Sequence, residues 1–177
     1  MSTPGIGLDV WGVVVAAAIL ILIMANKGKA GTTDDPLAKF KSELRQPPPE
    51  IETILRGTAQ ATGVDVHLLK AFAFVESRFN PNAVNNQNPA NPSMGLFQIR
   101  PVPWVQYLGL GNASLLMDAA TNAQAGADIL NYFESRGFAM PMAADVYNLG
   151  ETVYNKGTRN PDYHDKVNAA FVWFQMH

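Results

Sequence analysis

Sixteen consecutive apolar residues, Val10–Ala25, set the first boundary on this chain, since a stretch of that length must be buried in lipid or in a protein core. Ile6, Gly7 and Leu8 extend it past a single Asp9. At 1.5 Å per helical residue, about twenty residues cover the roughly 30 Å hydrocarbon layer of a bilayer, and residues 6–25 are of that length. Trp11 would sit near one interface. A buried core helix is the competing reading, but the polar residues that follow leave such a helix little to bury against. A cleavable leader is another, because Gly28-Lys29-Ala30 offers a small-x-small site. Against it, the flank MSTPGIGLD carries no Lys or Arg, and the run is at the long limit for a leader's apolar core. An uncleaved single transmembrane helix within 1–26 is therefore expected, with the lipid bilayer as partner through residues 6–25.

Residues 27–49 read as a polar tether. They contain Gly, Lys and Asp and end in Pro47-Pro48-Pro49, which is stiff and extended. Within them Asp35-Pro36 could open a short helix through Leu44, with Asp34 or Asp35 as cap. From residue 50 to 177 apolar positions recur at helical spacing, interrupted by Gly, Pro and Asn clusters. Ile51, Ile54 and Leu55 form one face of a helix that Gly63 terminates. Asp65 can cap the next, Val66 to Ser77, whose Leu68, Leu69, Phe72 and Val75 form an apolar stripe. Further helices are expected from about Asp118 to Ser135, Ala143 to Leu149 and Asp162 to Met176. Only Gly95–Ile99 suggests a short strand, so the fold class is mostly α.

Composition removes several functions. Thirteen Lys and Arg against fifteen Asp and Glu give a net charge of -2, which lacks the basic footprint for neutralising phosphates, so nucleic acid is not an expected partner. Cysteine is absent, which excludes disulfides, thiolate metal sites and a Cys nucleophile. His67, His164 and His177 have no metal-binding spacing. No metal and no cofactor is expected.

Glu76 is the first carboxylate of interest, because it ends an apolar helix after Ala71-Phe72-Ala73-Phe74-Val75. Apolar surroundings disfavour the charged form and can turn a Glu into a general acid near neutral pH. An exposed Glu paired with Arg78 or Lys70 is the plainer reading of the spacing. Ser93-Met94-Gly95-Leu96-Phe97-Gln98-Ile99 places polar residues around a Gly that permits close backbone approach. The intervening segment, Asn80 to Ser93, is rich in Asn and Pro and must be loop; its amides either bind sugar hydroxyls or cap turns. Val146-Tyr147-Asn148-Leu149-Gly150 ends a helix.

Together these pieces resemble the lytic transglycosylases of the soluble type, whose catalytic domain has a goose-type-lysozyme-like α fold. The resemblance covers most of residues 50–177. Its Glu-Ser motif stands as Glu76-Ser77-Arg78-Phe79-Asn80-Pro81-Asn82-Ala83, and its Gly-Leu-(Met/Phe)-Gln-Ile motif as Gly95-Leu96-Phe97-Gln98-Ile99 preceded by Ser93-Met94. The Ala-Tyr-Asn-x-Gly motif is Val146-Tyr147-Asn148-Leu149-Gly150, with Val in place of Ala, and a Tyr followed four residues later by Val is Tyr163 and Val167. The resemblance implies cleavage of the β-1,4 bond between N-acetylmuramic acid and N-acetylglucosamine in peptidoglycan glycan strands, with a 1,6-anhydro ring formed by one catalytic Glu.

Glu76 would be that residue. By the same carry-over, Tyr163 would hydrogen-bond Glu76, Ser77 and Ser93 would flank the site, and Gln98, Tyr147 and Asn148 would contact N-acetyl groups or hold the motif loops. Met94 and Phe97 would offer apolar walls to the sugars. Most glycosidases need two carboxylates. From Ser77 to Met117 there is not one Asp or Glu, which favours the transglycosylase over a lysozyme-type hydrolase; Asp145, Glu151 and Asp162 are the candidates for a second acid if hydrolysis is the reaction. A non-catalytic glycan-binding structural protein is the third alternative.

Charge placement bears on where such an enzyme works. Lys27, Lys29, Lys39, Lys41 and Arg45 follow the span, against Asp9 alone before it, and the positive-inside rule then puts the domain on the cytoplasmic side, where it has no substrate. A phage protein in a virion membrane, opening the host wall locally during genome entry, avoids this conflict. A bacterial inner-membrane enzyme facing the periplasm and assisting a secretion system is the alternative. Protein partners would come from the virion or from the secretion apparatus.

Overall fold

Pro49 opens the first long helix of the domain and Gly63 closes it, both for backbone reasons. Proline at the first helical position forgoes only an N–H that has no partner there, and Gly63 takes the left-handed φ of 77° that turns the chain away. The computed structural model describes residues 35–177, and its helices are α1 (Ala38–Glu43), α2 (Pro49–Thr62), α3 (Val66–Ser77), α4 (Pro101–Tyr107), α5 (Ala119–Ser135), α6 (Met142–Leu149), α7 (Glu151–Asn155) and α8 (Pro161–Met176). A two-stranded antiparallel ribbon, β1 (Val84–Asn85) and β2 (Ser93–Met94), pairs Val84 with Met94 and lies between α3 and α4 in the chain. The mostly helical expectation holds. The expected membrane span at 6–25 lies outside the described residues, and no helix among the described residues is long and apolar enough to cross a membrane.

The centre is α3. Asp65 accepts the His67 backbone N–H at 2.7 Å and starts the helix, and the seven residues Leu68 to Phe74 are all buried. Six of these are apolar and the seventh, Lys70, is ion-paired with Glu52 at 2.8 Å, so the helix is enclosed on every side. It packs against α8 and α2, while α5 packs on α2. Enclosure of α3 fixes the position of its last turn, which carries Glu76 and Ser77.

Two boundaries differ from expectation. The tether expected at 27–49 gives way at Lys39, where the compact unit that runs to His177 begins. Phe40 is buried edge-on against Phe74 with ring centroids 5.8 Å apart, Glu43 pairs with Arg78 at 3.2 Å, and Arg45 donates to the Arg78 carbonyl at 3.2 Å. One aromatic among polar neighbours gives no periodic signal, so the docking was hidden in the sequence. The strand expected at Gly95–Ile99 is a tight turn instead. Gly95 and Gln98 have φ of 75° and 46°, which breaks extension, and the paired strand residues are Ser93 and Met94.

The short α4 and α7 and a 3-10 helix at Ala113–Met117 were not foreseen. Each is too short to establish a helical repeat.

Candidate active site

Three segments that are distant in sequence meet around the end of α3. The Gly95–Ile99 turn is pressed against the 3-10 helix and the start of α5, so closely that a Cβ at Gly95 would lie 2.3 Å from the Asn122 side-chain nitrogen and 2.6 Å from the Leu116 carbonyl. Only glycine fits, because its φ is positive as well. Asn122 is fully buried and holds the turn by three hydrogen bonds. It accepts the Phe97 N–H at 2.8 Å and donates to the carbonyls of Met94 at 2.9 Å and Leu116 at 2.8 Å. Gly126, one turn along α5, leaves room for the Phe97 ring, which a Cβ would meet at 2.5 Å.

α6 supplies the third segment. Tyr147 stacks obliquely on Phe72 of α3 with centroids 5.0 Å apart and donates its hydroxyl to the Phe97 carbonyl at 2.7 Å, which ties α6 to the turn. Between these parts lies a cleft of about 370 Å³ lined by Glu76, Ser93, Gln98, Arg100, Tyr147 and Asn148, together with Asn85 and Gln87 and with Val102, Pro103 and Trp104.

Glu76 presents one edge to this cleft and is otherwise enclosed. Burial pushes its carboxyl from the ordinary 4.5 to about 7, against smaller opposing effects from the Tyr163 hydroxyl and the Arg100 charge. Tyr163 on α8 donates its hydroxyl directly to Glu76 Oε1. Burial first and the Glu76 charge second keep the Tyr163 and Tyr147 phenols far above their usual range, so both remain protonated donors. A carboxyl poised near neutrality and opening onto a cleft can give up a proton and take one back.

The sequence-derived site residues divide between cleft and support. Glu76, Ser93, Gln98, Tyr147 and Asn148 line the cleft, and Tyr163 touches Glu76 from behind. Ser77 does not reach the cleft lining, since its hydroxyl bonds back to the Ala73 carbonyl at 3.0 Å. Phe97 is not a sugar wall. It is fully buried beneath the turn against Gly126. Met94 is half-buried in the ribbon, packed against the core and likewise outside the lining. Gln98 donates to the carbonyls of Ala83 at 3.0 Å and Gly95 at 2.9 Å, so its amide nitrogen holds the loops together. Asn148 accepts from the Asn160 side chain at 2.9 Å.

None of the three candidate second acids lines the cleft. Asp145 is buried against His164 at 3.0 Å and the Asn160 N–H at 3.2 Å, Glu151 pairs with Arg136 at 2.6 Å, and Asp162 pairs with Lys166 at 2.6 Å. Among the described residues Glu76 is the sole carboxylate of the lining.

A family model described as the Transglycosylase SLT domain matches residues 54–169. The chain belongs to this family. Its domain is thus a lysozyme-like helical domain of lytic-transglycosylase type acting on peptidoglycan. No curated protein matches the chain. The sequence names Asn85 and Gln87 only as members of the Asn-rich segment 80–93, and gives no sign of Arg100 and Trp104 as lining residues beyond their place after the motif. Arg100 directly follows the Gly95–Ile99 motif, which was the available signal. The Asn-rich loop divides between cleft lining and turn capping. Asn85 and Gln87 line the cleft, while Asn80 and Asn85 cap turns and Asn91 clasps Val102 by two hydrogen bonds of 3.0 Å.

Proposed function

We propose that the chain is a membrane-anchored lytic transglycosylase that cleaves the β-1,4 bond between N-acetylmuramic acid and N-acetylglucosamine with Glu76 as its one catalytic residue. The observation that carries this reading is the solitary acid of the cleft, held near pH 7 by burial. Protonated Glu76 gives its proton to the glycosidic oxygen as the C1–O bond breaks. The resulting carboxylate then takes the proton of the sugar's own C6 hydroxyl as that oxygen bonds C1, closing the 1,6-anhydro ring. No water is consumed and the acid is regenerated. A hydrolase would need a second carboxylate to activate water or to attack C1. Asp145, Glu151 and Asp162 are engaged elsewhere.

Tyr163 orients Glu76 and stabilises its carboxylate between the two transfers. Ser93, Asn148, Asn85 and Gln87 offer hydroxyl and amide groups to the sugars, and Tyr147 and Gln98 hold the loops that present them.

Digestion of purified peptidoglycan by the full chain and by Glu76→Gln, followed by mass spectrometry of the muropeptides, tests the reading. Products one water lighter than hydrolysed ones, absent with the variant, are expected. Reducing-end products from the parent chain would instead identify a hydrolase.

The site of action follows from the sequence. Residues 6–25 anchor the enzyme in a membrane, and the cations after the span favour a virion-associated protein that opens the host wall locally during genome entry. Copurification of the chain with virions is the expected result. Recovery only in a bacterial periplasmic membrane fraction would assign it to a secretion-associated role.

A further inference from the structure

Besides Glu76 and the protonated Tyr147 phenol, the cleft lining among the described residues contains one ionisable side chain, and it has no part in the reaction above. That side chain is Arg100. Its side chain is exposed and makes no hydrogen bond or ion pair with a described residue, whereas Arg45, Arg56, Arg78, Arg136 and Arg159 all do. It is therefore not holding the fold. Nor is it a counter-ion in contact with Glu76, whose direct partner is Tyr163.

The surrounding rim makes Arg100 the one strong donor there. Pro101 and Pro103 have no backbone N–H. The Val102 N–H is already given to Asn91 at 3.0 Å. An anion arriving beside this rim would find no unengaged cation or backbone donor on 101–103, and a guanidinium is suited to a carboxylate in two-pronged fashion. Such an anion has to come from the substrate, because the sugars of the glycan backbone offer the cleft only hydroxyl and amide groups. The peptide stem carried by the muramyl unit does bear carboxylates.

We infer that Arg100, standing unpartnered on the cleft rim between the Gly95–Ile99 turn and α4, is a specificity-determining residue that binds a carboxylate of the stem peptide; this rests on peptidoglycan cleavage at Glu76. Pairing there also limits the effect of substrate charge on Glu76. A bare anion in the cleft would raise the acid's proton affinity further and oppose formation of its carboxylate, and Arg100 offsets that.

The test compares intact sacculi with sacculi whose carboxylates have been converted to methylamides, using the full chain and Arg100→Gln at pH 5. At that pH the stem carboxylates are largely ionised and Glu76 starts protonated in both proteins, so a difference in the starting protonation state of Glu76 does not enter the comparison. The parent chain is expected to cleave intact sacculi about tenfold faster than methylamidated ones, the size of a charge-assisted hydrogen bond partly screened by water. Arg100→Gln is expected to cleave the two at one rate, and Arg100→Lys to recover part of the preference.

A parent chain indifferent to methylamidation, or a variant that retains the full preference, overturns the inference. So does an Arg100 dependence confined to amidase-treated strands, where the freed lactyl carboxylate is the anion. Failure of the parent chain to release 1,6-anhydro products from any of these substrates would instead count against the proposed function itself.

Discussion

Glu76 is costly where it stands, and that cost is measurable. Its proton is bound more tightly in the folded chain than at the ordinary value of 4.5, so between 4.5 and about 7 the folded state holds more proton than the unfolded one. Stability contributed by this group therefore falls as pH rises through that window, and above it the ionised carboxylate is a net burden. Glu76→Gln removes the burden. At pH 8 the variant is expected to exceed the parent in stability by up to about 3 kcal/mol, and at pH 4 to match it. Urea unfolding at the two pH values measures this; an equal difference at both would separate the acid's burial from its titration. The same acid sets the activity profile, since the protonated form begins the reaction and is lost above about pH 7. Tyr163→Phe deletes a donor that favours the carboxylate. Its falling limb is expected to move to higher pH and its kcat to drop roughly tenfold, because the carboxylate that must recover a proton loses its partner. A limb that stays in place would show that the hydroxyl only fills space.

Between elements the decisive residue is Asn122, which no motif includes. It spends its whole amide on backbone groups of the Gly95–Ile99 turn and the 3-10 helix. Asn122→Leu leaves the Phe97 N–H and the Leu116 carbonyl without the partner they have here, takes one of two donors from the Met94 carbonyl and adds bulk beside Gly95, so destabilisation by about 3 kcal/mol is expected, with loss of cleavage before loss of helix content. Circular dichroism together with muropeptide release at a permissive temperature checks it. Unaltered unfolding would mean that the turn is held by Tyr147 and Gln98 alone. This explains which parts were readable in advance. Asp65, Gly63 and the seven buried residues of α3 act on their own helix, and local rules describe them. The motif residues Glu76, Tyr147 and Tyr163 were found because resemblance reports what tertiary structure assembles. Phe97 and Met94 were assigned to the sugars because a motif names neighbours without saying which way they face. Here Gly126, a residue in another helix, decides that Phe97 points inward. Arg100 and Trp104 escaped because both follow the last motif residue, Ile99, in a segment that Asn91 holds through the Val102 backbone from eleven residues away.

At the scale of the whole domain, residues 40–45 pack on the end of the helix that carries Glu76. Arg78 ends α3 in the left-handed conformation, with φ of 55°, two residues beyond Glu76. Its guanidinium bonds the carbonyls of Phe74 at 2.9 Å and Val75 at 3.3 Å and lies over the Phe40 and Phe74 rings. Phe40, Glu43 and Arg45 thus cover Arg78, the first of two left-handed residues, Arg78 and Phe79, that turn the chain out of the central helix. Phe40→Ala in the full chain removes a nearly fully buried ring at the domain's edge, and about 3 kcal/mol of stability is expected to go with it, or roughly 10 °C in Tm for a domain of this size. The consequence for function is separable from that for stability. If this cover fixes the end of α3, the variant assayed well below its Tm still loses several-fold in kcat with little change in KM, because the acid and not the sugar subsites is displaced. An unchanged kcat with a lowered Tm would make α1 a stabilising cap alone, and an unchanged Tm would return residues 39–48 to the tether their composition suggests.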